Sequence, residues 1–325
     1  MHSFLRSTIP VIATAVLGVS CLVGAATAAS REDGREQAWR TAIARTPAPS
    51  EGCFNASYPL LVWHQVACAT APKQQFAQMQ DRQPGARSVT GGDYAVITKS
   101  RTSNAVGSFP VVKHLTSEQS ALGANDYSLQ LNSNFIENDP ACAGEGVAGA
   151  CRGWQQFVFS NLYENAYIQN WLVFYNATCP AGWNAGVFGS CWKNSALVAV
   201  PQQDIKELPN MSVSGTAVGK GLDTLVLTTR TQAYSTTEKD IVLHLAANWH
   251  ATDFNVLGDG TTPATFNAGA SLVDRIDLTD GTTKKPKCEA YAGHSAETNN
   301  LVPGPCRTFA GTVPAMQFVE TAPTP

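Results

Sequence analysis

The sequence predicts an all-β protein whose main body is a single β-sandwich, and three observations lead to this fold class. After Gly92 the apolar residues follow the two-residue period of strands. About ten short strands are expected there, with turn-rich connections and no long amphipathic helix between them. Charged residues make up only 14% of the chain, while Thr, Ser, Asn, Gly and Ala abound. That composition suits a secreted β-protein.

Each expected strand follows from alternation or from a short apolar run closed by a turn. The segments 154–160 and 167–175 are rich in aromatic residues and are separated by a polar turn. Asp259-Gly260 and Asp280-Gly281 are hairpin signals, because both residue types tolerate positive φ. In chain order the expected strands are 94–97, 127–132, 154–160, 167–175, 222–229, 241–245, 253–257, 270–278 and a closing edge strand at 317–319.

The first 28 residues have the parts of a signal peptide. A weakly basic start is followed by an apolar run over 9–23 and by the cleavage motif Ala26-Thr27-Ala28. No later stretch stays apolar for the roughly 18 residues that a membrane span needs. The sequence therefore predicts a secreted, extracellular protein with a signal peptide at 1–28, an N-terminal segment at 29–90 and a sandwich domain at 91–325.

The N-terminal segment differs in composition from the rest. A charged stretch with helical character, 31–45, is followed by several prolines and by a polar linker at 73–90. Its two cysteines are expected to pair with each other, so a cut near 82–90 would leave no unpaired cysteine in either piece. A removable pro-segment is one interpretation. An extension packed permanently on the domain is the other, and the sequence leaves both open.

Eight cysteines follow the signal peptide, and they fall into four close neighbour pairs. An even set at short spacings behind an export signal indicates a disulfide framework, and no Cys-x-x-Cys occurs. Neighbour pairing is favoured because short loops close easily. The expected pairs are Cys53–Cys68, Cys142–Cys151, Cys179–Cys191 and Cys288–Cys306.

Charge and motif content exclude several classes of function. Without the signal peptide the chain has 21 basic and 25 acidic residues and lacks the basic patch of a nucleic-acid-binding protein. No glycine-rich phosphate loop precedes a helix. His244 and His250 lie near Asp253, but their spacing matches no zinc motif. We therefore expect a monomer that uses no metal or other cofactor and binds neither nucleic acid nor membrane.

The densest aromatic region, 154–192, indicates a binding surface or a core. Alternation along 167–175 places Tyr167, Gln169, Trp171, Val173 and Tyr175 on one face of the strand, opposite Ile168, Asn170, Leu172 and Phe174. Both faces are largely apolar, so at least one is core. The other would suit a sugar ring or an extended peptide, because Trp and Tyr combine a flat apolar body with a hydrogen-bonding tip. The alternative is an ordinary sandwich core.

Uncharged amides and a few carboxylates are the remaining candidates for chemistry. Gln130, Gln155, Gln156 and Gln169 lie on expected strands, where most such side chains face solvent. In a cleft they would bind a carbonyl oxygen or a sugar hydroxyl. Asp253 lies on a strand, Asp274 shares a side with an apolar series and is expected to point inward, and Glu297 lies in the loop between Cys288 and Cys306. A carboxylate beside an amide is able to activate water.

A family resemblance adds to these residues. The order 128–130, 153–155 and Asn170-Trp171, followed by a Trp/Gly-rich loop between two cysteines, resembles the neprosin-type secreted peptidases. The segment 251–254, followed by 266–269, is similar to a strand of the fungal glutamic peptidases. The resemblance implies a concanavalin-like (jelly-roll) sandwich, a removable pro-segment, and water activated at acidic pH by a Glu with a Gln or second Glu. This chain departs from both patterns, with Cys151-Arg152 and Asp253 where the families place Glu.

The resulting hypothesis is a secreted, acid-active endopeptidase. Asp253 would be the general base for water, and Gln156 would hold the water and the tetrahedral oxyanion. Trp171, Tyr175, Gln169 and Trp192 would bind an extended peptide. The alternative is a non-catalytic, lectin-like sandwich that binds polysaccharide on Trp171, Tyr175 and Trp192, and a third is a secreted interaction protein without a small ligand.

Overall fold

The structure of the protein is a computed structural model that describes residues 20–69, 94–259, 263–290 and 298–324. Its helices are α1 (Ser20–Ile43) and α2 (Leu245–Asn248), and 3-10 turns lie at Pro140–Cys142, Ile205–Asn210 and Asp240–Val242. In chain order its strands are β1 (Cys53–Ser57), β2 (His64–Val66), β3 (Tyr94–Ile97), β4 (Asn104–Lys113), β5 (Glu118–Gln119), β6 (Tyr127–Ser133), β7 (Ile136–Glu137), β8 (Arg152–Ser160), β9 (Asn165–Val173), β10 (Asn184–Ala185), β11 (Cys191–Asn194), β12 (Val198–Ala199), β13 (Ser212–Thr216), β14 (Leu222–Thr228), β15 (Gln232–Lys239), β16 (Ala251–Gly258), β17 (Thr265–Phe266), β18 (Ser271–Thr279), β19 (Lys287–Ala290), β20 (Val302–Pro303), β21 (Arg307–Phe309) and β22 (Ala315–Thr321).

These strands form two ten-stranded sheets and a small pair, β17-β5. Sheet I has the order β2-β1-β15-β14-β13-β4-β18-β22-β20, with β21 also beside β22. Sheet II has the order β10-β11-β9-β8-β6-β16-β3-β19, with β12 beside β9 and β7 beside β8. The named strands pair antiparallel, and the inward residues of both sheets join in one hydrophobic core. The prediction of an all-β sandwich is confirmed.

Two glycines of sheet I set how closely the sheets approach. Gly107 on β4 lies under the ring of Phe254 on β16, and Gly215 on β13 lies under the ring of Phe157 on β8. A β-carbon at either glycine would overlap the facing ring. Since both rings are fully buried and sandwich cores are close-packed, the missing side chains are what lets these rings cross the interface.

The structure corrects two of the expected strands. The segment 241–245 is not a strand, because Asp240 begins a 3-10 turn and its Oδ1 accepts a hydrogen bond from the Ala246 amide at the start of α2. His244 between these elements has φ of 48°. The segment 317–319 lies within β22, which has neighbours on both sides and is therefore not an edge strand. Strands such as β4, β13 and β15 were not predicted.

Part of the N-terminal segment belongs to the sandwich. Strand β1 pairs with β15 over five residues. Trp39 and Ile43 of α1 are buried against the outside of sheet I. Residues 1–19 of the predicted signal peptide, the whole linker 73–90 and Glu297 lie outside the described residues. Residues 20–28 form the start of α1. Removal of 29–90 stays a prediction.

All four expected disulfides are present in the structure. They join Cys53 to Cys68, Cys142 to Cys151, Cys179 to Cys191, and Cys288 to Cys306. Each closes a loop of 9 to 18 residues and so fixes local structure. The bond between Cys288 and Cys306 also joins β19 of sheet II to the residue that precedes β21 of sheet I. The framework is compatible with an oxidising, extracellular compartment.

Neither helix of the described ranges has the length and apolar character required to cross a membrane.

We predict that Gly107→Ala destabilises the protein, because the added methyl group collides with the Phe254 ring. Overpacking of this kind costs about 1–3 kcal/mol in the free energy of unfolding. Urea unfolding followed by circular dichroism measures the loss. Gly34→Ala is the control, because apart from its own helix backbone and chain neighbours no atom of the described residues lies within 4 Å of its β-carbon position. Equal stability of the two variants would contradict this account of the interface.

Candidate active site

The outer face of sheet II, which points away from sheet I, carries a straight row of polar side chains. Cross-strand pairing joins Asp253 to Asn132, Asn132 to Gln156, Gln156 to Gln169, and Gln169 to Asn194. These five residues, here called the amide row, come from β16, β6, β8, β9 and β11. Their neighbours along each strand point inward, as Leu131 and Phe157 do. At about 4.8 Å between strands, the row spans about 19 Å.

Hydrogen bonds run along the amide row in a defined direction. The indole Nε1 of Trp171 donates to Gln156 Oε1 at 2.9 Å and to Gln169 Oε1 at 3.0 Å. Both glutamine oxygens are thereby held on Trp171, so both NH₂ groups point away from it. Gln169 Nε2 then donates to Asn194 Oδ1 at 2.9 Å.

The hydrogen bonds in the other direction along the amide row end at the Asp253 carboxylate. Gln156 Nε2 donates to Asn132 Oδ1 at 3.1 Å and to Gln130 Oε1 at 3.1 Å. Asn132 Nδ2 donates to Asp253 Oδ2 at 3.2 Å. Asn132 therefore bridges Asp253 and Gln156, the two residues predicted for catalysis, and it fixes the Gln156 amide relative to the Asp253 carboxylate.

Two apolar groups flank the amide row. On one side Trp154, Trp171 and Trp192 are cross-strand neighbours and pack together, with Trp171 and Trp192 ring centroids 6.5 Å apart. On the other side Val158 and Tyr167 pack with Leu197. Both groups are separate from the core between the sheets. The face thus has polar groups in the middle and apolar groups along both sides.

Burial controls the charge state of the carboxylate. Asp253 is 5% exposed. Loss of hydration raises its pKa to about 7, and the hydrogen bond from Asn132 opposes that shift without cancelling it. Glu320 on β22 is likewise buried, and its pKa rises to about 8 even though Asn255 Nδ2 donates to it at 3.3 Å.

Two donors at the far end of the site have no acceptor among the described residues. They are Trp192 Nε1 and Asn194 Nδ2, both on β11. Trp192 is 5% exposed, whereas Asn194 is only half-buried, so the amide row is most accessible at this end. A buried donor without a partner is costly, and a carbonyl oxygen of a ligand would satisfy it.

Five of the six expected site residues come together on this face: Asp253, Gln156, Gln169, Trp171 and Trp192. Tyr175 does not join them. Phe174 has φ of 57°, which interrupts the alternation after β9. Tyr175 therefore turns into the main core, where its hydroxyl donates to the Ala143 carbonyl at 2.9 Å.

The expected solvent-facing position of the four strand glutamines is wrong, because all four are buried. Gln130 and Gln156 lie on the outer face with Gln169, whereas Gln155 points inward and donates to Asp223 Oδ2 at 3.0 Å. Asp274 is buried on the inner side of β18, as expected.

The contacts of the two histidines are to residues other than Asp253. His244 Nδ1 is 3.8 Å from Asp139, and His250 is exposed with its Nδ1 at 2.7 Å from the Asn248 carbonyl. Sequence reasoning missed Asn132 and Asn194. The alternation over 127–132 was the available signal for Asn132, because it places Ser128, Gln130 and Asn132 on one face.

Comparison with known proteins gives two structural neighbours. The first is scytalido-glutamic peptidase with a transition state analog inhibitor, at TM-score 0.28 and 10% identity over 71% of this chain and 98% of that chain. The second is SCP-B, a member of the Eqolisin family of peptidases in complex with the tripeptide Ala-Ile-His, at TM-score 0.29 and 11% identity over 70% and 96%. No protein-family model and no curated protein matches the sequence. Similarity this low assigns no role to any residue.

We predict that buried carboxyls make the protein more stable in acid than at neutral pH. The folded-state pKa of Asp253 lies above the unfolded value, so the folded protein keeps a proton that the unfolded chain releases between about pH 4 and 7. The free energy of unfolding therefore falls as pH rises through that window, by up to a few kcal/mol for this group.

Asp253→Asn should reduce this dependence and leave the part due to the other buried carboxyls with a raised pKa, which include Glu118, Asp223, Glu238 and Glu320. Urea unfolding at pH 4, 5.5 and 8 measures the effect. Glu289→Gln removes the same charge from an exposed position on β19 and should keep the full dependence. An Asp253→Asn protein that loses as much stability as the parent between pH 4 and 8 would show that Asp253 is not buried as described.

Proposed function

We propose that the protein is a secreted acid endopeptidase of the glutamic-peptidase type, in which Asp253 activates the attacking water. The observation that carries the proposal is the bridge from the Asp253 carboxylate through Asn132 to the Gln156 amide. A carboxylate and an amide held on one sheet face, two strands apart, are the pair that water activation and oxyanion stabilisation require.

The proposed reaction uses ordinary acid–base chemistry. The Asp253 carboxylate takes a proton from water while the water oxygen bonds to the carbonyl carbon of the scissile peptide. Gln156 Nε2 donates to the resulting oxyanion, exchanging its bond to Gln130 or Asn132 for this one. Asp253 then returns the proton to the amide nitrogen as the carbon–nitrogen bond breaks. The products are a carboxylic acid and an amine.

Substrate binding follows from the remaining groups of the face. A length of about 19 Å matches about six residues of extended peptide. Asn194 Nδ2 and Trp192 Nε1, which have no acceptor in the ranges that the structure describes, lie at one end and are suited to peptide carbonyl oxygens. The flanking tryptophans offer apolar surface for side chains.

The burial of the site supports a precursor that is inactive as synthesised. Gln156, Gln169 and Trp171 are almost completely buried, so a substrate has no access to them in this form. Asp253 is also held protonated at acidic pH by its raised pKa. Exposure of the site to water would return that pKa toward its usual value and free the base in acid. We therefore propose that maturation activates both access and chemistry.

The carbohydrate-binding alternative lacks a supporting observation. The indole N–H of Trp171 is already shared between two glutamines, so it is not free to bind a sugar hydroxyl. The structure gives Tyr175 a place in the core instead of on this surface.

We predict that Asp253→Asn abolishes hydrolysis of denatured protein substrates between pH 2 and 6 in acid-processed protein. The two side chains are nearly isosteric, and the amide oxygen still accepts from Asn132, so the fold should be retained. Gln156→Ala should lower turnover by roughly 10²-fold or more. Release of acid-soluble peptides from casein measures activity, with Glu289→Gln as the control. If the unmodified, processed protein cleaves nothing in this range, the endopeptidase proposal is wrong.

We predict that Trp171→Phe and Trp192→Phe have different effects, although each removes one indole N–H. Trp171→Phe leaves two buried glutamine oxygens without their donor and lets both amides turn, so kcat should fall at least tenfold. Trp192 Nε1 has no acceptor within the described part of the chain, so Trp192→Phe should raise KM with kcat nearly unchanged. Steady-state kinetics on one peptide separate the two. An unchanged kcat in Trp171→Phe would contradict the positioning role.

A further inference from the structure

We infer that residues 32–69 are a permanent structural part of the sandwich, so that cleavage between Ala69 and Tyr94 yields two chains that remain bound to each other. This inference does not depend on the proposed activity. It distinguishes between the two interpretations that the sequence left open for the N-terminal segment, and the described contacts favour the packed extension.

The first contact is a complete strand pairing. Strand β1 lies between β2 and β15, with five registered residue pairs to β15 from Cys53↔Thr236 to Ser57↔Gln232. Phe54 and Ala56 on this strand are buried. Strand addition of this kind supplies both backbone hydrogen bonds and side-chain packing. Without β1, β15 would become an exposed edge of sheet I, which is a liability for aggregation.

The second contact is an apolar cluster under helix α1. Trp39 and Ile43 pack with Ala56 and, on the sandwich, with Val226 and Ala233, all buried. The Trp39 indole donates to the Leu60 carbonyl at 2.8 Å, which ties the helix to the chain after β1. The helix thus covers apolar surface that sheet I would otherwise expose to water.

Polar contacts surround that cluster. Ser214 Oγ on β13 donates to the Ala44 carbonyl at 2.6 Å. Arg230 lies 3.7 Å from Glu36, and Arg45 lies 3.6 Å from Asp277. Partly exposed ion pairs contribute little to the free energy of association, so their role is to orient the helix. The pairing of β1 with β15 and the apolar cluster supply most of the binding.

No covalent bond would join the two pieces after a cut. The bond between Cys53 and Cys68 lies wholly within the N-terminal piece, and the other three disulfides lie wholly within the piece that begins near Tyr94. Association would therefore rest on the noncovalent contacts alone, and the two pieces would separate in denaturant without reduction.

The test uses the full mature chain with a sequence-specific protease site inserted in the polar linker 73–90. After complete cutting, both pieces should co-elute from a size-exclusion column in native buffer, and should still do so in 1 M sodium chloride. They should elute separately in 6 M guanidinium chloride without reductant. Elution of the N-terminal piece by itself from the native column, in either salt condition, would overturn the inference.

A matched pair of variants locates the contact. Ile43 is the last residue of α1 and is buried, whereas Gln37 is exposed on the same helix. In the cut protein Ile43→Ala should release the N-terminal piece at a clearly lower urea concentration than the parent, and Gln37→Ala should not. Release of the piece at the same urea concentration from both variants would show that the cluster does not hold it. Because the cut is made by an added protease, the outcome is independent of any activity of the protein itself.

Discussion

One hydrogen-bonded group orders the candidate site, and it is the indole N–H of Trp171. It is the shared donor to the oxygens of Gln156 and Gln169, so it decides which end of each amide points along the row. Amides are symmetric in shape, and without such a donor each would be free to turn. Because both are fixed, a donor is directed toward the Asp253 side and another toward Asn194. The direction of each further hydrogen bond along the amide row follows from the orientation of these two amides.

This arrangement relies on the rest of the sandwich. The amide row exists only because five strands pair in one register. That register is fixed because a slip of one residue would exchange the inner and outer faces of a strand. Core residues such as Leu131 and Phe157 therefore position Asn132 and Gln156 beside each other. The amide row contains one carboxyl group and four amides, so its direction comes mainly from the amide dipoles, and its one ionisable group lies at the end.

Much of this was predictable from sequence. Alternation gave the two faces of β9, and it placed Gln169 and Trp171 on the same side. The fold class and the disulfide pairs also followed from local pattern and spacing. Two local features could not be predicted, for physical reasons. The turn after β15 depends on the Asp240 side chain, and the position of Tyr175 depends on the positive φ of Phe174. Which strands become neighbours is a long-range property, so the link from Asp253 through Asn132 to Gln156 was not visible in any local segment.

The strand order of sheet I has a consequence for how the chain acquires its structure. Strand β4, at 104–113, has β13 and β18 as neighbours, and these are made about 100 and 160 residues later. Closing such long loops has a high entropic cost and is slow. Strand β4 therefore stays unpaired while about 100 or more following residues are synthesised. The disulfides join cysteines only 9 to 18 residues apart, so the closure of each one requires no distant strand. Sheet I, in contrast, is completed only after nearly the whole chain has been made, whereas Cys53–Cys68, Cys142–Cys151 and Cys179–Cys191 need only residues that precede β13.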